Sequence, residues 1–141
     1  MRFIALLLAA LALFTGCGSS KEGPGMHYDY ELGTKLEALR AERQSKPFKD
    51  LVPGDWTSVH VIIGPHTEEW VAREVGTTLP DSSYGYDTEG NILVFLKASS
   101  VVQVKGTGAR HLGEGHFSDD VVLTGTERGI KVDDPNPPQP R

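Results

Sequence analysis

One cysteine, Cys17, stands among the 141 residues of this chain, so no internal disulfide can staple the fold and its stability has to come from an apolar core. Basic residues are also few: 14 lysines and arginines face 19 acidic residues, for a net charge of −5. That balance excludes nucleic acid as the expected partner, because phosphate backbones reward clustered cations, and it excludes a polybasic membrane patch. A membrane-spanning segment is missing as well. The single long apolar run, Phe3 to Phe14, falls short of the roughly 20 residues that a helix needs to cross a bilayer. It has the length of a secretory h-region, with Arg2 supplying the positive n-region before it.

The residues at the end of the run give the clearest signal in the chain. Phe14-Thr15-Gly16-Cys17 places small residues immediately before the cysteine, and Gly18-Ser19-Ser20-Lys21 comes after it as a spacer. The segment resembles a bacterial lipoprotein signal peptide with its lipobox. It departs from the family pattern in carrying Phe14 three residues before the cysteine, where leucine is usual, with Leu13 one place too early. The resemblance implies diacylglycerol attachment to the Cys17 sulfur and cleavage after Gly16. Two acyl chains give a stable anchor where one gives only marginal binding. It also resolves the difficulty of a free thiol in an exported protein. Gly18 stands where aspartate would favour inner-membrane retention in Gram-negative lipoproteins. The expected location is therefore the cell membrane or outer membrane, lipid-anchored and facing outside the cytoplasm.

Four segments are expected: a signal peptide over 1–16, a flexible tether over 17–28, one domain over 29–132, and a proline-rich unfolded tail over 133–141. Loss of Arg2 with the signal peptide leaves the mature charge at about −6. Within the domain, Asp29 caps a helix over 29–45 whose Leu32, Leu36 and Leu39 recur at helical spacing, and Pro47 ends it. Trp56 to Ile63 alternates as a strand. Its Thr57, Val59, Val61 and Ile63 face is expected against the core, with Trp56, Ser58, His60 and Ile62 opposite. Thr67, Glu68 and Glu69 open a second helix that Gly76 closes, with Trp70, Val71 and Val75 as its buried side. Asn91 to Lys97 is the strongest strand, paired with Val101–Lys105 across Ala98-Ser99-Ser100. A last hairpin joins 121–124 to 129–132. These elements predict an α+β fold: an antiparallel sheet of three to five strands with two helices packed on one face. Asp55-Trp56 through Gly64-Pro65-His66-Thr67, then Gly76 and Leu93-Val94-Phe95, also resemble a loosely defined group of uncharacterised small bacterial lipoproteins, which brings no activity with it.

Candidate chemistry is sparse. His111, Glu114 and His116 form a glycine-flanked loop that could ligate zinc or another divalent metal; otherwise they are a polar loop. His60 and His66, with Glu68 or Glu69, could form an acid–base pair; otherwise they serve the strand end and the helix cap. Asp81-Ser82-Ser83-Tyr84 offers hydroxyls without the Gly-x-Ser-x-Gly elbow, and Gly106-Thr107-Gly108 lacks the remainder of a phosphate-binding loop. Trp56 and Trp70 are either core or a ligand wall. The expectation is a membrane-anchored envelope lipoprotein acting as a small binding module, with an envelope protein as partner, no cofactor and no catalysis. The alternatives are a metal- or small-ligand-binding lipoprotein and, third, a small hydrolase.

Overall fold

The strand Asn91–Lys97 is buried at every residue from Asn91 to Leu96, and this organises the rest of the molecule. The computed structural model describes residues 25–80 and 85–140. Within them the chain runs β1 (Met26–Tyr28), α1 (Tyr30–Ala41), β2 (Ser45–Pro47), α2 (Phe48–Leu51), β3 (Ser58–Ile63), α3 (Glu68–Val75), β4 (Asn91–Lys97), β5 (Ser100–Gly106), β6 (Gly115–Ser118), β7 (Val122–Thr126) and β8 (Gly129–Asp133). One sheet of five strands has the order β1-β5-β4-β3-β6, and a second of three has the order β2-β7-β8. All pairs are antiparallel except β1 with β5. The α+β class and the sheet size are as expected; the second sheet is additional.

Alternation along β4 splits its side chains between two cores. Leu93 and Phe95 join Val59 and Val61 of β3, the three leucines of α1, Phe48 and Leu51 of α2, and Leu123 of β7. Ile92, Val94 and Leu96 join Ile62 of β3, Val104 of β5, and Val71 and Val75 of α3. The helices therefore lie on opposite faces, α1 and α2 on one and α3 on the other, which corrects the expectation of two helices on one face. The physical reason is visible in β4 itself. An unbroken apolar strand is what double coverage produces, whereas a strand with one wet face would alternate apolar with polar. Trp56 is corrected too. It precedes the paired part of β3, so the alternation does not bind it. It is fully buried with Val59 and Val61 instead of on the opposite face.

The helix starts follow local chemistry, but α1 ends at Ala41, short of the expected residue 45, because Ser45–Pro47 leaves the helix to pair with β7. Asp29 accepts the Leu32 N–H at 2.9 Å, and Thr67 accepts the Trp70 N–H at 3.2 Å. Gly76 closes α3 with φ 78°, a left-handed conformation that glycine adopts without strain. Closer in, a Cβ on Gly125 of β7 would come within 2.1 Å of the Leu39 carbonyl oxygen, so α1 can seat against the second sheet only over a glycine. Both hairpins form. The β4–β5 turn is Ala98-Ser99, one residue tighter than expected, and Val102 is the extra residue where Phe95 pairs Gln103 but Leu96 pairs Val101. The β7–β8 turn is Glu127-Arg128, because β7 runs on to Thr126.

Both ends of the domain reach past their expected limits. Met26–Tyr28, assigned to the tether, pairs with β5, and Met26 is buried. Asp134, assigned to the tail, accepts the Ser118 N–H and hydroxyl at 2.6 Å each, and Asn136 donates to Asp120. The signal segment and most of the tether lie outside the described residues, as do Asp81 to Tyr84. Among the described residues no helix is long and apolar enough to cross a membrane.

Asp29 does two jobs, since its second oxygen holds Lys105 at 2.6 Å and so fastens α1 to β5. Burial alone would raise its carboxyl, but the Lys105 ammonium and the Leu32 N–H hold it below the ordinary 3.8. A depressed folded value adds stability above the unfolded value and loses it as pH falls through the folded one. Asp29→Ala should therefore cost about 1–2 kcal/mol at neutral pH. In urea unfolding followed from pH 5 to pH 2, the gap between wild type and variant should close toward acid; an unchanged gap would remove the charge from the explanation.

Candidate functional site

β3 and β6 pair so that His60 stands directly opposite His116. Val59 and Val61 of β3 point into the α1 core, and Phe117 of β6 packs there as well, so the two histidines point the other way, toward α3. Their rings stack at 3.8 Å between centroids and 11° from parallel. Across from them α3 presents Trp70 and Glu74, one turn apart on the same helix face. His66, one turn before Trp70, stacks on the indole at 3.6 Å and 7°. Glu114 arrives from the chain entering β6, where its Oε1 accepts the Ile63 N–H at 3.2 Å. Together with Val61 and Ile62, the side chains of His60, His116, Trp70, Glu74 and Glu114 and the Gly115 backbone line a partly open pocket of about 260 Å³.

A buried asparagine sets this geometry. Asn91, fully enclosed at the start of β4, accepts the His111 and Leu112 N–H groups at 2.8 and 3.0 Å and donates to the Leu112 carbonyl at 2.9 Å. Its own backbone N–H donates to the Thr107 hydroxyl, and its carbonyl accepts the Thr107 N–H. This clamp fixes where the loop after β5 turns, and hence where Glu114 and His116 emerge. At the far end of β6, the Asp134 carboxylate lies near enough to His116 to feel its charge. Burial alone would raise that carboxyl, but the Ser118 hydroxyl and N–H, then Asn136 and His116, hold it below the ordinary carboxylate range.

The expected metal loop is not assembled. Glu114 and His116 reach the pocket, but His111 lies on the α1 side, next to Gly33. Burial there disfavours its protonated form, with Glu37 opposing and Arg40 adding to the effect. Among the described residues no three His, Cys, Asp or Glu side chains are grouped to hold a metal. The Leu112 clamp is the physical cause: it sends the residue before it to one face and the residues after it to the other. His60 takes the place of His111 beside His116, yet the nearly parallel rings aim their in-plane lone pairs side by side rather than at a common point. The acid–base reading is redrawn too. His60 faces Glu74 and Glu114, whereas Glu68 and Glu69 line other grooves and His66 shares one with Glu68.

Sequence reasoning paired neither His60 with His116 nor Trp70 with Glu74, and it passed over Asn91 and Asp134. Only the four-residue spacing of His66, Trp70 and Glu74 was available as a local signal. Of the two tryptophans, Trp56 is core, whereas Trp70 is half-buried, packs against the α3-side core and also lines the pocket. The lining offers two imidazoles, two carboxylates and an indole, and no hydroxyl, thiol or amine nucleophile among its residues. That set can bind, and can exchange protons with what it binds. No protein-family model matches this chain, and comparisons with curated proteins and with solved structures find no match.

Proposed function

We propose that this chain is a lipid-anchored lipoprotein of the bacterial envelope, facing outside the cytoplasm and acting as a small binding module. The observation that carries the reading is the short distance in sequence between Cys17, at the end of the chain's one long apolar run, and the folded domain, whose first strand starts at Met26. Nine residues extend at most about 30 Å, so an acylated Cys17 would hold the domain against the headgroup layer. An envelope protein is the partner that such tethering favours. The pocket between α3 and β6 supports a second reading, small-ligand binding, which is compatible with the first.

Cys17→Ser tests the anchor. Wild-type protein should sediment with membranes, dissolve in detergent and incorporate labelled palmitate; the variant should take no label and either leave the membrane or accumulate with its signal uncleaved. A Cys17→Ser protein that stays on membranes with the signal removed would show that the lipid is not what holds it.

A further inference from the structure

We propose that the pocket between α3 and the β3–β6 edge binds a small organic ammonium ion, with Trp70 as its aromatic wall and Glu74 and Glu114 as its counter-charges. The proposal rests on the small-ligand reading above and is independent of the anchor. Three features of the pocket select this chemistry. Its volume, about 260 Å³, suits a compact molecule or headgroup rather than a nucleotide or peptide. Its acidic side chains come one from α3 and one from the chain entering β6, so they approach a guest from two sides. Its aromatic surface includes an indole, the best cation–π partner among the side chains. His66 covers one face of that indole by stacking and does not itself line the pocket, so the ring is held in place by a contact a guest does not need to displace.

A bare divalent ion is a poorer match. The His60 and His116 rings present parallel faces, and no three ligating side chains converge among the described residues. An alkylammonium ion needs neither: it takes diffuse contact with ring faces and unspecific attraction to carboxylates.

Proton competition arises from the same groups. The imidazole stack is faced by Glu74 and Trp70 from α3, by Glu114 beside β6 and by Asp134 beyond β8. Either histidine, on gaining a proton, places a cation in the pocket that the guest would occupy, so acidification should weaken binding.

The test is a titration of the full chain, purified in detergent, with tetramethylammonium and with choline, followed by tryptophan fluorescence against sodium chloride at matched ionic strength. The expected result is a saturable change at pH 8 in the millimolar range. It should weaken about three- to fivefold in Glu74→Gln and in Glu114→Gln, and again between pH 8 and pH 5.5. Glu74 is exposed on α3, so its variant tests charge rather than folding. Two sources of ammonium are separated by a second probe: competition by glycerophosphoethanolamine points to a lipid headgroup, and its failure to compete points to a free amine. A response that never saturates, or one that both glutamine variants leave unchanged, overturns the proposal; so does saturation by acetate rather than by the cations.

Discussion

Trp56→Ala is expected to leave the domain at the edge of unfolding. Trp56 is 0% exposed and meets Phe95 at 5.1 Å and Phe48 at 5.9 Å in edge-on contacts, which ties the segment entering β3 to β4 and α2. Its indole N–H donates to the Val52 carbonyl at 2.8 Å, and Lys49 sits 4.9 Å from its ring while donating to its backbone carbonyl. Removing a buried indole costs about 3–5 kcal/mol, out of a total of roughly 5–15 kcal/mol for a domain of this kind. The melting temperature should fall by at least about 15 °C. Trp56→Phe separates the contributions: it retains most of the packing and orphans the Val52 carbonyl, so its loss should be about 1–3 kcal/mol. Circular dichroism during heating measures both. An alanine variant melting within a few degrees of wild type would mean that the Phe48–Trp56–Phe95 cluster is not the centre of the core.

Asn91→Leu should be nearly as damaging, for the opposite reason. No apolar contact is lost, but three backbone groups lose their partner, the two of Leu112 buried and that of His111 half-buried. Each unsatisfied buried group costs about 1–3 kcal/mol, so the two Leu112 groups should cost about 2–6 kcal/mol together. The second consequence distinguishes this variant from a general core defect. Amide exchange at His111 and Leu112 should accelerate far more than in the middle of β4. The His60–His116 stack should loosen as well, because the clamp determines where β6 begins. Exchange at those two amides as slow as in wild type would show that the loop holds itself.

The contrast between these two residues shows what could be read locally. Trp56 stands out in any sequence, and its candidacy for the core needs no partner. Asn91 is one polar residue ahead of an apolar run, and nothing nearby marks it as the clamp for a loop twenty residues on. The caps at Asp29, Thr67 and Gly76 were legible because each satisfies a backbone group within a turn of itself. The hairpins were legible for the same reason, apart from a residue or two at their turns. Beyond that reach, inference failed in a consistent way. His111, Glu114 and His116 are sequence neighbours and look like one site, yet a single hydrogen-bonded clamp sends His111 to the α1 face and the other two to the α3 face.

By itself, then, the sequence determined where α1 begins, where α3 begins and ends, the strong strands, the lack of any internal disulfide and the acidic charge, because these depend on composition and on contacts between near neighbours; α2 and the end of α1 at Ala41 were not among them. Only the tertiary structure decided that β4 is covered on both faces, that Met26–Tyr28 joins the sheet, that Ser45–Pro47 completes a second one, and that His60 meets His116 beneath Trp70. Strand pairing brings together residues whose separation in the chain leaves no periodic trace. A pocket made by such pairing therefore exists only once register and coverage are settled.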